Sequence, residues 1–256
     1  MIAEIKFNDG PVKIDLNKPI DISIPLRAGP QNVNAWYVPP MSIEPVRTDR
    51  FTGSVAEGGV VNFRNIAFNP HGNGTHTECV GHIAEEVHSI NDALRTFFFK
   101  ARLISIEPEP NGNDAEFEAS DDRVISKAQL VTAIGDHRPE AILIRTTPNG
   151  PEKRDRQYSN TNPPYVKADA MDWLVEIGVQ HFLIDLPSVD REYDGGKMLA
   201  HRAWWKYPGD PRMQSTITEM IYVPNEVSDG SYILNLQIAS FVNDASPSKP
   251  ILYGHY

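Results

Sequence analysis

Two short apolar runs, Ala141–Arg145 (AILIR) and Val179–Asp185 (VQHFLID), constrain the fold of this chain more than any other feature. Each is bounded by polar or turn residues and reads as a short buried strand. Between them, Lys167–Ile177 carries apolar residues at helical spacing and stops at Gly178, a residue suited to the position just past a helix end. Ahead of the first run, Ser126-Lys127-Ala128-Gln129 has the pattern of a capping box and opens another helix. Helix, strand, helix, strand in that order predicts crossover units and an α/β fold.

The flanks are richer in strand. The first segment, AEIKFNDGPVKIDLNKPIDISIPL, alternates apolar and polar residues around Asn8-Asp9-Gly10, which predicts strands joined by a tight turn. Residues 28–57 are rich in Pro, Gly, Asn and Ser and read as a long ordered loop. Val60–Phe68 reads as a strand, and Phe97–Ile106 is apolar and β-prone. Strands return at Thr216–Val223, Ser231–Ala239 and Ile251–Tyr253. No linker or repeat divides the chain, so the expectation is one mixed α/β domain over residues 1–256.

Charge narrows the function. Lys and Arg number 24 against 34 Asp and Glu, a net charge of −10, with no basic run to attract nucleic acid or anionic lipid. Small-molecule chemistry is the better expectation. No apolar run reaches the roughly 18 residues of a membrane span. The first ten residues lack the basic and apolar pattern of a secretory signal. A single cysteine, Cys79, excludes an internal disulfide framework and suits a reducing cytoplasm.

The densest polar cluster is Pro70-His71-Gly72-Asn73-Gly74-Thr75-His76-Thr77-Glu78-Cys79-Val80-Gly81-His82, with three of the eight histidines in twelve positions. Imidazoles with a carboxylate suit Zn²⁺, Mn²⁺ or Fe²⁺ and leave positions open for water. His76 and Glu78 point the same way on an extended segment. Glu78 and His82 become neighbours if a helical turn begins after them. Gly72 and Gly74 permit a turn that returns His71 towards His76. Fully extended, residues 76–82 would span roughly 20 Å and could not converge on one ion. The bland alternative is a polar loop with surface histidines.

Gly74-Thr75-His76-x-Glu78-x₃-His82 resembles the His-x-Gly-Thr-His-x-Asp-x-Pro-x-His signature of the cyclase family, which includes kynurenine formamidase and isatin hydrolase. Further ordered matches cover about 230 residues: Asp21–Leu26, Ile142–Thr146, Ile184–Asp190, Ile217–Met220, Gly230–Tyr232 and Asp244–Pro247. In this sequence His71 lies five residues before His76 rather than four, Glu78 stands for Asp and Val80 for Pro. Residues 207–212 are an added stretch between His201 and Glu219.

The resemblance implies a swivelling β/β/α fold, a mixed sheet with flanking helices. It implies a metal-dependent hydrolase of small amides or cyclic amides such as N-formylkynurenine or isatin. His71, His76, Glu78, His201 and Glu219 would hold a divalent ion, Zn or Mn. His82 would shuttle a proton, Trp36 would contact substrate, and the chain would form a homodimer or homotetramer. Two rival readings are an Fe(II) oxygenase using two histidines and a carboxylate, and a non-catalytic metal- or ligand-binding protein on the same fold. Elsewhere, His88 with Glu85 and Glu86 reads as a solvated helix face, Trp204 and Trp205 as core or subunit contact, and Cys79 as inert packing.

Overall fold

The computed structural model describes residues 1–111 and 121–255. The chain opens on a hairpin of β1 (Ile2–Phe7) and β2 (Gly10–Asp15), with Phe7 opposite Gly10, so Asn8-Asp9 makes the two-residue turn that the sequence predicts. Next come β3 (Ile20–Asp21) and, beyond a long loop, β4 (His76–Glu78). Then follow β5 (Phe98–Ile106), β6 (Ala141–Thr146), β7 (His181–Ile184) and β8 (Thr216–Glu219). The chain closes with β9 (Gly230–Asn235), β10 (Ala245–Pro247) and β11 (Ile251–Tyr253).

Strands β3 to β11 form one sheet in the order β10-β4-β8-β7-β6-β5-β9-β11-β3. Its centre, β8-β7-β6-β5, is parallel, and antiparallel strands extend it on both sides. Parallel strands need crossovers. The helices α1 (Lys127–Ile134) and α2 (Ala168–Glu176) supply two of them, and α3 (Leu199–Trp205) lies between β7 and β8.

Period-two side-chain alternation explains why the apolar runs are unbroken. Ile142 and Ile144 of β6 pack with Leu130, Met171 and Trp204 of the helices, whereas Ala141 and Leu143 pack with Leu234, Leu236 and Leu252 on the other face. All six residues of β6 are buried. At its end a buried ion pair holds the chain where it leaves β7. Lys153 Nζ donates to Asp185 Oδ2 at 2.8 Å and to Thr146 Oγ1 at 2.8 Å.

The capping box is present: Ser126 Oγ accepts from Gln129 N, and Gln129 Oε1 accepts from Ser126 N. Gly178 takes φ +91°. Several sequence expectations change. Of Val60–Phe68 only Arg64–Ala67 is strand, paired with Ser42–Pro45, and Val60, Val61 and Phe63 are exposed, with Phe63 edge-on to the Phe51 ring. The expected loop 28–57 contains short strands of its own. The strand from Thr216 stops at Glu219, because Met220 takes φ +53° and turns its N–H to Leu186 O. The strand expected to reach Ala239 ends at Asn235. His88, Glu85 and Glu86 lie in a loop rather than on a helix. Trp204 and Trp205 are fully buried in the core. Among the described residues no helix is long and apolar enough to cross a membrane.

Candidate metal centre

Antiparallel pairing of β4 with β8 places His76 opposite Glu219. Their side chains leave the sheet on the same face, with His76 Nε2 3.4 Å from Glu219 Oε2. Two residues on, Glu78 shares that face, its Oε2 3.9 Å from His76 Nε2. The chain then enters a 3₁₀ turn at Val80–His82, which brings His82 Nε2 to 3.9 Å from Glu78 Oε2. This tight turn is the helical turn that the spacing of the two residues requires.

His71 reaches the same carboxylate, its Nδ1 3.0 Å from Glu78 Oε2. Gly72 and Gly74 allow this by their lack of bulk. Neither has positive φ. A Cβ on Gly72 would lie 2.5 Å from a Val38 methyl, and one on Gly74 2.5 Å from a Leu26 methyl. From the far side, α3 delivers His201, whose Nε2 stands 3.1 Å from Glu78 Oε1 and 4.0 Å from Glu219 Oε1. The structure therefore brings together all of His71, His76, Glu78, His82, His201 and Glu219.

Two acids at the site escaped the sequence reading. Asp190 accepts from His201 Nδ1 at 2.5 Å and from the backbone N–H groups of Ala200 and His201, so it both starts α3 and orients the imidazole. Asp244, at the entrance to β10, accepts from His71 Nε2 at 2.8 Å and lies 3.5 Å from His82 Nδ1. Both fall within segments that match the family, yet no local spacing ties either to its histidine, 11 and 173 residues away.

The unpaired ring nitrogen of His76 tests whether a cation fits. His76 Nδ1 is 2.9 Å from Gly74 O, which can only accept, so Nδ1 donates there and Nε2 is turned towards Glu78 and Glu219. Among the described residues, His76 Nε2 is buried without a hydrogen-bond partner, and Glu78 Oε2, paired with His71 Nδ1 at 3.0 Å, has no donor aligned on it. Two carboxylates gathered around a buried nitrogen are unfavourable unless positive charge lies between them. Three donor groups, His71–His76–Glu78, His71–His82–Asp244 and Glu78–His82–His201, each keep their ligand atoms within 4.8 Å. Imidazole and carboxylate donors at that spacing fit a divalent ion.

Charge agrees with this. Burial alone would lower the affinity of His71 for protons, yet Asp244 and Glu78 raise its pKa to about 10. Burial likewise opposes a charged His201, and Asp190 and Glu78 overcome it. Burial would raise Glu78, and the surrounding imidazoles hold it well below the usual carboxylate range. Glu78, Glu219, Asp190 and Asp244 give the site a strong demand for positive charge.

His76 and Glu78 form the closed floor. His71 and His82 are 20% and 27% exposed and look into a cavity of about 460 Å³, a size suited to a small organic molecule. Trp36, Val38 and Met198 supply its apolar walls. Trp36 and Tyr37 both take left-handed backbone, φ +59° and +58°, a costly conformation for bulky residues. The Tyr37 hydroxyl donates to Glu192 Oε1 at 2.7 Å and anchors that loop. Cys79 is fully buried, and burial pushes its thiol up to about 11.

Along most of its length the chain is similar to known proteins. The chain is 25% identical over 239 residues to a kynurenine formamidase of Bacillus thuringiensis (strain Al Hakam), covering 91% of this chain and 96% of that protein. A kynurenine formamidase of Bacillus cereus (strain ATCC 14579) is 24% identical over 236 residues, covering 91% and 96%. An isatin hydrolase solved with the product analogue thioisatinate superimposes with a TM-score of 0.64 at 12% identity, covering 93% of each chain. Isatin hydrolase A of Labrenzia aggregata, bound to benzyl benzoate, gives 0.63 at 15% identity, covering 92% and 93%. These structural matches share the expected mixed sheet with flanking helices. The family model named Cyclase matches residues 14–191, and the chain belongs to that family.

Proposed function

We propose that this protein is a metal-dependent hydrolase of small amides or cyclic amides, with Zn²⁺ or Mn²⁺ held by His71, His76, Glu78, His201 and Glu219. The observation that carries the reading is the buried His76 Nε2, which has no hydrogen-bond partner and faces the carboxylates of Glu78 and Glu219. The kynurenine formamidase relatives indicate an N-formyl amide as substrate, and the isatin hydrolase neighbours a cyclic one.

When bound, such an ion supplies Lewis acidity and lowers the pKa of coordinated water towards neutrality. The protein's residues do the rest. Asp190 holds the His201 ring so that Nε2 faces the carboxylates. Val189 N–H donates to Glu219 Oε1 and fixes that carboxylate. His82 is exposed to the cavity beside this cluster, where a proton can pass from attacking water to the leaving nitrogen. Trp36 and Met198 offer apolar surface to a planar substrate.

The same reading places the protein in a reducing cytoplasm, where buried Cys79 stays a thiol. It treats the chain as one domain that assembles as a homodimer or homotetramer, burying the exposed Val60, Val61 and Phe63. The test is to purify the protein without added metal and measure elemental content. N-formylkynurenine and isatin are then assayed with Zn²⁺ or Mn²⁺ before and after chelation. Turnover that disappears on chelation and returns with metal is expected. Stoichiometric metal without turnover on an amide and lactone panel would favour a binding protein, and Fe²⁺-dependent oxygen consumption an oxygenase.

A further inference from the structure

At the far end of the parallel strands, where β6 begins, a second cavity of about 230 Å³ opens between β5, β9 and the loop before β6. It shares no lining residue with the cavity over the metal centre. Lys100 and Arg102 of β5, His137 and Arg138 of the loop, and His255 near the C-terminus surround it. In a chain of net charge −10 this is a local reversal of sign.

Two of the permanent cations have partners. Lys100 Nζ pairs with Asp9, and Arg138 Nη1 donates to the carbonyls of Gly135 and His137. Glu140, the acid beside Lys100 on the chain entering β6, accepts from the Lys100 backbone N–H at 2.7 Å. Arg102 differs. It is half-buried, its Nε is sealed from solvent, and its guanidinium has no hydrogen-bond or ion-pair partner among the described residues. Ser231 lies directly opposite it on β9 and adds a hydroxyl to the same cavity. A guanidinium is planar and presents a fork that fits an oxyanion. The Nη donors of Arg102 are not sealed and have no protein acceptor among the described residues, so an oxyanion that enters the cavity can pair with them. Val12 and Ile233 make the adjoining walls apolar.

We propose that this cavity binds a small organic oxyanion, its charged head held by Arg102 and its apolar body resting on Val12 and Ile233. Benzoate and phenyl phosphate are the probes, separating a carboxylate from a phosphate head, with benzyl alcohol as the neutral control. Binding to the metal-loaded protein is measured by calorimetry at matched ionic strength. Saturable binding of at least one anion is expected, and none of the alcohol. Arg102→Met should weaken it about 10-fold or more, the scale of a lost charge-assisted hydrogen bond, and Arg102→Lys should fall between. His76→Ala should leave it unchanged, which separates this cavity from the metal centre. Without anion, Arg102→Met should melt no lower than wild type, because it removes an unpaired group. The proposal is overturned by absence of saturable binding, by equal binding to Arg102→Met, by loss in His76→Ala, or by a marked fall in the anion-free melting temperature of Arg102→Met.

Discussion

His76 and His82 stand six residues apart in the same motif but in different surroundings. His76 has no exposed surface, and its Nδ1 is committed to Gly74 O, so its remaining nitrogen can serve only the buried cluster. His82 is open to the cavity and free of that constraint. The two should therefore fail differently. His76→Ala should lose both metal and activity. His82→Ala should keep most of its metal while kcat falls roughly 10²–10⁴-fold, the usual contribution of a general acid–base group. Metal content and kcat measured on both variants decide this, and equal metal loss in the two would refute the separate role.

At the scale of elements, the site depends on the register of β4 against β8. Thr77, between the two ligand candidates, points to the opposite face, where its hydroxyl bonds that of Thr218 at 2.7 Å, both residues fully buried. A one-residue slip would turn His76 and Glu78 away from Glu219. Thr218→Val leaves the Thr77 hydroxyl without that partner and should cost about 1–3 kcal/mol. Adding Thr77→Val should recover most of that loss, since both polar partners are then gone. Urea unfolding of the two singles and the double supplies the cycle, and additive losses would show that the pair is not coupled.

For the whole molecule, pH acts through a residue outside the site. His181 is buried in β7 against Phe99, with Nδ1 2.9 Å from Thr216 Oγ1. Burial, with the Arg212 charge adding to it, pushes its pKa down to about 3. The unfolded chain takes up this proton near pH 6.5 while the folded chain does not. This group's stabilising contribution is therefore complete above about pH 6.5 and is lost as pH falls towards 3, by up to about 1.4 kcal/mol per unit. His181→Gln should be less steeply destabilised than wild type between pH 6.5 and 5. The difference between their slopes, from urea midpoints in metal-free protein, isolates His181 from the site histidines. Parallel slopes would mean that His181 is protonated in the folded state.

The sequence by itself determined the parts whose cause is local. Period-two alternation marked β1 and β2, apolar β-prone composition marked β5, and unbroken apolar runs marked β6 and β7, because sheet faces impose those patterns over a few residues. The capping box at Ser126 and Gly178 after α2 were legible for the same reason, since helix ends are satisfied within one turn. His71, His76, Glu78 and His82 were legible as a cluster because they lie within twelve residues. His201 and Glu219 were named only through the family resemblance, and the contacts by which they close the site came with the tertiary structure. Glu219 meets His76 through strand pairing across 143 residues, and Asp244 meets His71 across 173. Asp190 reaches His201 because it caps the helix that carries it. The tertiary structure also decided why Gly72 and Gly74 are glycines, since the crowding side chains Val38 and Leu26 come from an earlier loop. The strand stops early at Glu219 because Met220 turns to bond Leu186, a partner that no periodicity in the sequence encodes.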